Sequence, residues 1–265
     1  MIKLNDDLQI PEIGFGAMIY SDNAAQRAVS LALKNGYRLI DTAETYGTEK
    51  GVGDAINNSG IPRDEIFLTT KLWPNARTNY KSTVSQFKKS LRRLQQDYVD
   101  LYLIHEPYGD INEEWRAMED LQRDGLVKSI GVSNFNEENL TQLMTTAKVI
   151  PAVNQIESHP WYNENALVEY CLQRGIVPEA WSALAEGRNN IFNNPVLAAI
   201  ANRHHKSVAQ VILRWDVQRG LIPLAKSENE SRIIENQDIF DFELSNEEIE
   251  QINQLDTGVS LYPGY

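Results

Sequence analysis

Gly36-Tyr-Arg-Leu-Ile-Asp41-Thr-Ala-Glu-Thr-Tyr46-Gly47 is an apolar run that stops at a carboxylate, then carries a phenol and a turn glycine. Residues 37–41 read as a strand. The pattern recurs. Residues 66–70 form a similar run that delivers Lys71, and residues 98–104 form another that delivers His105. Residues 127–132 lead into Ser133-Asn134, residues 152–156 contain Gln155, and residues 176–180 end at Trp181. Several of these runs are unbroken rather than alternating, as parallel strands covered by helices should be. Between them, Ala25, Val29, Ala32 and Leu33 fall at helical spacing, as do Val52, Ala55 and Ile56. Val84, Phe87, Leu91 and Leu94 mark a further helix, and Trp115, Met118 and Leu121 another.

Working outward, residues 3–10 read as a small hairpin around Asn5-Asp-Asp7, and residues 13–17 as a first strand whose glycines imply close backbone approach. Residues 221–224 would be an eighth strand, against the vote of Pro223. Helical segments surround 196–201 and 208–215. Asn136 can cap a helix, another starts at Asn229 or Ser231, and Ser245 with Glu248 forms a capping box for the last. The expected fold is α/β: a (β/α)8 TIM barrel with a short N-terminal β-hairpin and extra C-terminal helices, one domain over 1–265. A doubly wound open sheet is the competitor. It needs a third glycine after Gly14 and Gly16, but Met18 and Ile19 stand there.

The net charge of −12 argues against a general nucleic-acid or anionic-membrane surface. No stretch reaches the ~18 uncharged apolar residues of a membrane helix, and Met1-Ile-Lys-Leu-Asn-Asp-Asp is too polar for a signal peptide. The single cysteine, Cys171, excludes an internal disulfide. Together these features point to the cytoplasm.

A barrel carries its active site at the C-terminal ends of its strands. That rule selects Asp41, Lys71, His105, Ser133, Asn134, Gln155 and Trp181, with Tyr46 on the loop after Asp41. A lysine ending an apolar run needs a partner, and Asp41 is the natural one. Two roles stay open for Lys71: a Schiff-base nucleophile, which wants a neutral amine, or a charged neighbour that tunes Tyr46. An ammonium near a phenol lowers its pKa from ~10 and makes it a better general acid near neutrality. His105 has no His, Cys or carboxylate partners in a metal-ligand pattern, so no metal is assigned. Hydrogen bonding to a substrate oxygen is its functional reading and a satisfied core histidine the structural one. His204-His205 read as solvated surface.

The chain resembles the aldo-keto reductases over essentially its whole length. The matching segments are residues 36–43, Tyr46-Gly47, Thr69-Thr-Lys-Leu-Trp73, Asp97-Tyr-Val-Asp-Leu-Tyr-Leu-Ile-His105, Gly131-Val-Ser-Asn-Phe135, Val153-Asn-Gln-Ile-Glu157 and Lys226-Ser227. It looks most like small bacterial members related to 2,5-diketo-D-gluconate reductase. The resemblance implies a catalytic tetrad of Asp41, Tyr46, Lys71 and His105. Tyr46 would protonate the carbonyl oxygen, Lys71 with Asp41 would lower its pKa, and His105 would orient the carbonyl. Hydride would come from the nicotinamide of NADPH, with NADH as the alternative. Ser133, Asn134 and Gln155 would hold the carboxamide, Trp181 would stack on the ring, and Ser182 and Leu184 would lie along the pyrophosphate. Lys226, Ser227 and Arg232 would take the adenosine end and its 2′-phosphate, and Asn236 the adenine.

The substrate is then a small carbonyl compound, the expected state a monomer, and the candidate pocket walls Met18, Tyr20, Trp73, Glu106 and Tyr108. The sequence departs from many relatives at Glu106, where they carry Trp or Gln, placing a negative charge at the pocket rim. It departs also at Ala183, in the loop Ala185-Glu186-Gly187, at Glu228 beside the proposed phosphate site, and in a short tail after Leu255. A Lys71 Schiff-base aldolase and a non-enzymatic redox-sensing subunit are the alternative functions. Borohydride trapping would mark the first, and NADPH binding without turnover the second.

Overall fold

The computed structural model describes residues 1–263. Its eight parallel strands close into a barrel. In order around the barrel they are β3 (Gly14–Gly16), β4 (Leu39–Asp41), β5 (Phe67–Leu72), β6 (Val99–Ile104), β7 (Val127–Ser133), β8 (Val153–Glu157), β9 (Val177–Trp181) and β10 (Ile222–Ala225), which returns to β3. The open doubly wound sheet is thereby excluded. The strands β1 (Ile2–Lys3) and β2 (Gln9–Ile10) make the separate antiparallel hairpin. Helices α1 (Asp22–Lys34), α2 (Glu49–Asn57), α3 (Tyr80–Leu94), α4 (Ile111–Arg123), α5 (Glu137–Met144) and α6 (Asn165–Leu172) follow β3 to β8 in turn. Both α7 (Pro195–His204) and α8 (Val208–Gln218) follow β9; α9 (Glu230–Gln237) follows β10, and α10 (Asn246–Asn253) ends the series. No helix among the described residues is long and apolar enough to cross a membrane.

Local signals place most of these elements. Asn136 caps α5, Asn229 caps α9, and Ser245 with Glu248 forms the reciprocal box at α10. The second barrel strand begins at Leu39 rather than at 37. Tyr37 turns its ring edge-on to Phe15, with centroids 5.7 Å apart, and Arg38 Nη1 donates to Leu33 O at 3.2 Å, closing the end of α1. The next strand runs on to Leu72, so Lys71 lies inside it and not beyond it. Pro223 sits within β10, in register with Ala180.

The unbroken apolar runs conceal an alternation that the barrel makes visible. Leu39, Phe67, Leu101, Leu103, Val153, Val177, Ile222 and Leu224 pack together inside the barrel, joined by Leu4 and Ile10 of the hairpin segment. The intervening Ile40, Leu68, Tyr102, Ile104, Ile130, Val132, Ile156 and Ala180 face the helices. A Cβ on Gly14 would lie 2.5 Å from a Leu224 methyl and 2.8 Å from the Leu39 side chain. Those leucines are the close approach that its glycine permits. The hairpin closes the N-terminal end. Two residues beyond Leu39, Leu103, Val153 and Val177 stand Asp41, His105, Gln155 and Glu179, and four beyond Phe67 stands Lys71. The interior is therefore apolar at the bottom and ionisable at the top.

Candidate active site

Lys71 is fully buried, and its ammonium is saturated. It donates to Asp41 Oδ1 and Oδ2 at 2.6 and 2.8 Å, to Thr42 O at 3.0 Å and to the Tyr46 hydroxyl at 3.3 Å. An ammonium has three protons, and here a carboxylate, a carbonyl and a phenol take them. Burial alone would lower the Lys71 pKa, but the Asp41 and Tyr46 contacts outweigh it and leave the amine above its ordinary value. The Schiff-base role thus has no neutral amine to work with.

Tyr46 ends a single 3-10 turn, Glu44–Tyr46, which Gly47 closes in the left-handed region at φ 67°. The segment is pinned on two sides. The Thr42 and Thr48 hydroxyls meet at 3.2 Å, and Thr48 Oγ1 donates to Ala17 O at 3.0 Å. Behind it, Arg93 bridges Glu44 at 3.6 Å and Glu49 at 2.6 Å, and Glu49 accepts from Thr70 Oγ1 at 2.7 Å. The Tyr46 hydroxyl is held over Lys71 by these contacts. The expected lowering of its pKa is not the net result. Burial raises the phenol, Lys71 opposes that, Asp41 adds to it, and the balance lies above the ordinary value.

His105 stands edge-on to both Tyr46 and Trp73, with ring centroids 5.6 and 5.1 Å away. Burial and then the Lys71 charge push its pKa down to about 3, so the imidazole is neutral across the physiological range. Its Nδ1 has no hydrogen-bond partner among the described residues.

The tetrad residues are therefore brought together, and Trp73 with them. The three carboxamide candidates are present but already engaged. Gln155 Nε2 donates to Asp41 Oδ2 at 3.0 Å and to Glu179 Oε2 at 2.8 Å. Ser133 Oγ donates to Gln155 O at 2.9 Å. Asn134 Nδ2 donates to His105 O at 3.1 Å and Glu106 Oε1 at 2.7 Å, while Asn134 Oδ1 accepts from Trp181 Nε1 at 2.8 Å. Acceptor oxygens of Ser133 and Gln155, but no unengaged amide protons, remain for a ligand.

Beyond Trp181, Ser182, Ala185 and Glu186 take positive φ of 52°, 47° and 51°. The loop is a succession of tight turns, in which Ala185 N donates to Ser182 O, Gly187 N to Leu184 O and Arg188 N to Ala185 O. Leu184 is half-buried there. Lys226 and Arg232 are exposed and form no ion pair among the described residues, Ser227 is half-buried and Asn236 is buried. Met18, Tyr20 and Tyr108 are 58, 79 and 47% exposed, lying out on the loops after β3 and β6 rather than packed around the tetrad. Glu106, expected as a rim charge, is instead buried, at 1% exposure. His204 is not freely solvated: its Nε2 lies 3.0 Å from Glu248.

Two features escape a reading that stops at strand ends. Glu179 is fully buried two residues before Trp181, and burial, then Asp41, pushes its carboxyl up to about 8. A charged residue inside the run 176–180 was the available signal. The tail also returns to the site. Glu157 accepts from Ser260 Oγ at 2.5 Å and from Leu261 N at 2.8 Å, and the Tyr262 ring packs 5.5 Å from Trp181 with its hydroxyl on Glu186.

Comparison with known proteins gives this arrangement a family. Residues 12–257 match the model of the aldo/keto reductase family. A curated glyoxal reductase of Bacillus subtilis is 48% identical, over 96% of this chain and 92% of that protein. The crystal structure of an aldo/keto reductase from Brucella melitensis superposes with a TM-score of 0.92 at 48% identity, covering 96% of this chain and 98% of that one. An aldo-keto reductase of Bombyx mori in complex with NADP superposes at 0.93, with 38% identity over 98% of this chain and 93% of that one. With the closed barrel and the Asp41–Lys71–Tyr46–His105 cluster at its mouth, the chain belongs to the aldo/keto reductase family.

Proposed function

We propose that this protein reduces aldehyde and ketone carbonyls to alcohols with NADPH, and that Tyr46 is the proton donor. The observation that carries the reading is the Lys71 ammonium, held at 3.3 Å from the Tyr46 hydroxyl and locked in its charged form by Asp41. At neutral pH the phenol holds its proton, which is the state a general acid for reduction requires. As the proton leaves, the fixed cation stabilises the phenolate without reorganisation. Neutral His105 can donate to or orient a carbonyl oxygen beside Tyr46. Asp41 and Gln155 keep Lys71 in place.

The nicotinamide dinucleotide would supply the hydride, which no side chain can. The residues suit such a group. Trp181 offers a flat face, and Lys226 and Arg232, with no ion pair among the described residues, offer two cations beside the start of α9 for a phosphate. The glyoxal reductase relative and the NADP complex of the Bombyx mori enzyme support the same assignment. Glu228, exposed two residues beyond Lys226, is a local opponent of a 2′-phosphate.

The test is to follow oxidation of NADPH and of NADH against aldehydes, α-ketoesters, dicarbonyls and keto-sugars. Turnover of short uncharged aldehydes, faster with NADPH, is expected. Cofactor binding with no turnover of any carbonyl would contradict the reading.

A further inference from the structure

We propose that Glu106 sets the charge preference of this site, making carbonyl compounds that bear a carboxylate poor substrates and favouring uncharged or cationic ones of the same shape. The proposal rests on the reductase reading above. Glu106 directly follows His105 and is 1% exposed. It lies near enough to Tyr46 for its charge to raise the phenol pKa. Asn134 Nδ2 ties its carboxylate at 2.7 Å and His105 O at 3.1 Å, which sets the charge on the His105 side of the tetrad.

Its charge is also the one left uncompensated. Lys71 is matched by Asp41. His105 is neutral at ordinary pH, and Glu179 is held protonated at neutrality. Glu106 forms no ion pair among the described residues; its recorded partner is the uncharged amide of Asn134 at 2.7 Å. That amide cannot easily turn away, because Trp181 Nε1 holds its oxygen and His105 O takes its second proton. The carboxylate is thus fixed in place. A second negative charge brought within several ångströms in a partly desolvated pocket is disfavoured by about ten- to a hundredfold.

The preference should itself depend on pH. The titratable groups that face this region are Asp41 on β4, Tyr46 after it, Lys71 on β5, His105 after β6 and Glu179 on β9. Of these, Lys71 and Tyr46 titrate above the neutral range and His105 below it. Burial, opposed by the Asn134 hydrogen bond, brings Glu106 up to about 7. Glu179 ionises at about 8 with the same sign, so the pH series reads both carboxyls and the Glu106 variant separates them. Below these values the pocket loses its negative charge.

The experiment compares kcat/KM for three aldehydes on one frame, para-nitrobenzaldehyde, para-carboxybenzaldehyde and para-(trimethylammonio)benzaldehyde, with NADPH. Wild type and Glu106→Gln are both measured near pH 6 and near pH 8. Glutamine keeps an acceptor for Asn134 and removes the charge, and ratios between substrates cancel any general loss of activity. In the wild type near pH 8 the carboxylate substrate should trail the uncharged one by about tenfold or more. That handicap should shrink near pH 6, and near pH 8 it should be several-fold smaller in Glu106→Gln than in wild type, with Glu179 supplying what remains. A Glu106→Gln handicap equal to wild type, or a wild-type ratio that does not move with pH, overturns the proposal. Should Glu106→Gln fail to fold, Glu106→Ser takes its place in the same comparison, because the wild-type pH series reads Glu106 and Glu179 together. Absence of NADPH oxidation with all three aldehydes in the wild type would be a different failure, that of the reductase reading itself.

Discussion

Lys71 is the residue on which the site turns, and its geometry separates two accounts of the same ion pair. If Lys71 and Asp41 were only a buried structural pair, replacing both by neutral residues would leave activity in place. Lys71→Met alone strands the Asp41 carboxylate and should cost ~3–5 kcal/mol of stability. Adding Asp41→Asn should recover most of that in a urea titration, while turnover stays reduced by about a hundredfold or more. Recovery of turnover in the double variant would reduce the pair to scaffolding. His105 supports a second expectation. Because its pKa is about 3, its protonation contributes no acid limb to the rate with an uncharged aldehyde above about pH 5. The rate should fall only on the alkaline side, as pH rises toward the raised pKa of Tyr46 and the donor loses its proton. Asp41, Tyr46, Lys71 and His105 were legible in the sequence because each is a polar side chain that ends or follows an apolar run. The net pKa of Tyr46 was not, since it balances burial against a neighbour's charge, and burial is a property of the folded chain.

At the level of elements, the helices that brace the site show what local patterns do and do not carry. Caps were readable because they are local: a side chain three residues from the N–H it accepts from. Helix-to-helix approach was not. On α2, a Cβ on Gly53 would stand 2.1 Å from the Leu94 carbonyl at the end of α3. Glycine inside a helix ordinarily costs ~1 kcal/mol relative to alanine, yet Gly53→Ala should destabilise here, by about 1–3 kcal/mol in a denaturant titration, because backbone must move. On α4, Glu114 is fully buried with neither carboxyl oxygen hydrogen-bonded among the described residues, and burial, then Asp110, raises its pKa to about 8. The raised value fixes the sign. The folded state holds a proton that the unfolded chain releases above its ordinary value of 4.5, so stability is lost as pH climbs from there toward about 8. Glu114→Gln should therefore gain in Tm over wild type as pH rises, by about 2–4 °C per kcal/mol recovered. A Tm difference that does not change between acid and alkaline buffers would contradict the placement of Glu114.

For the molecule as a whole, the fold was legible from recurrence: similar apolar runs, each ending at the barrel mouth and separated by helical spacing. The inward and outward rows were not, because residues of both rows are apolar and only the closed barrel sorts them. At the proposed cofactor end, Lys226 and Arg232 look like any solvated charges, and only the family resemblance marks them out. Strands β4, β5, β6, β8, β9 and β10 each carry residues of both the interior core and the helix-facing core, so the two are expected to unfold as one unit. Trp115, Trp181 and Trp215 lie on α4, β9 and α8, and Trp73 and Trp161 on the loops after β5 and β8, so fluorescence and far-UV circular dichroism should give the same denaturation midpoint; separated midpoints would mean that part of the barrel melts alone. What the assembled molecule is held to do is pass the Tyr46 proton to a carbonyl while a bound dinucleotide reduces it. The most direct check is Tyr46→Phe, assayed side by side for NADPH oxidation with an aldehyde and for NADPH affinity by fluorescence. Turnover lowered by about a hundredfold or more with affinity unchanged is the expected result; turnover retained without the phenol would contradict the mechanism.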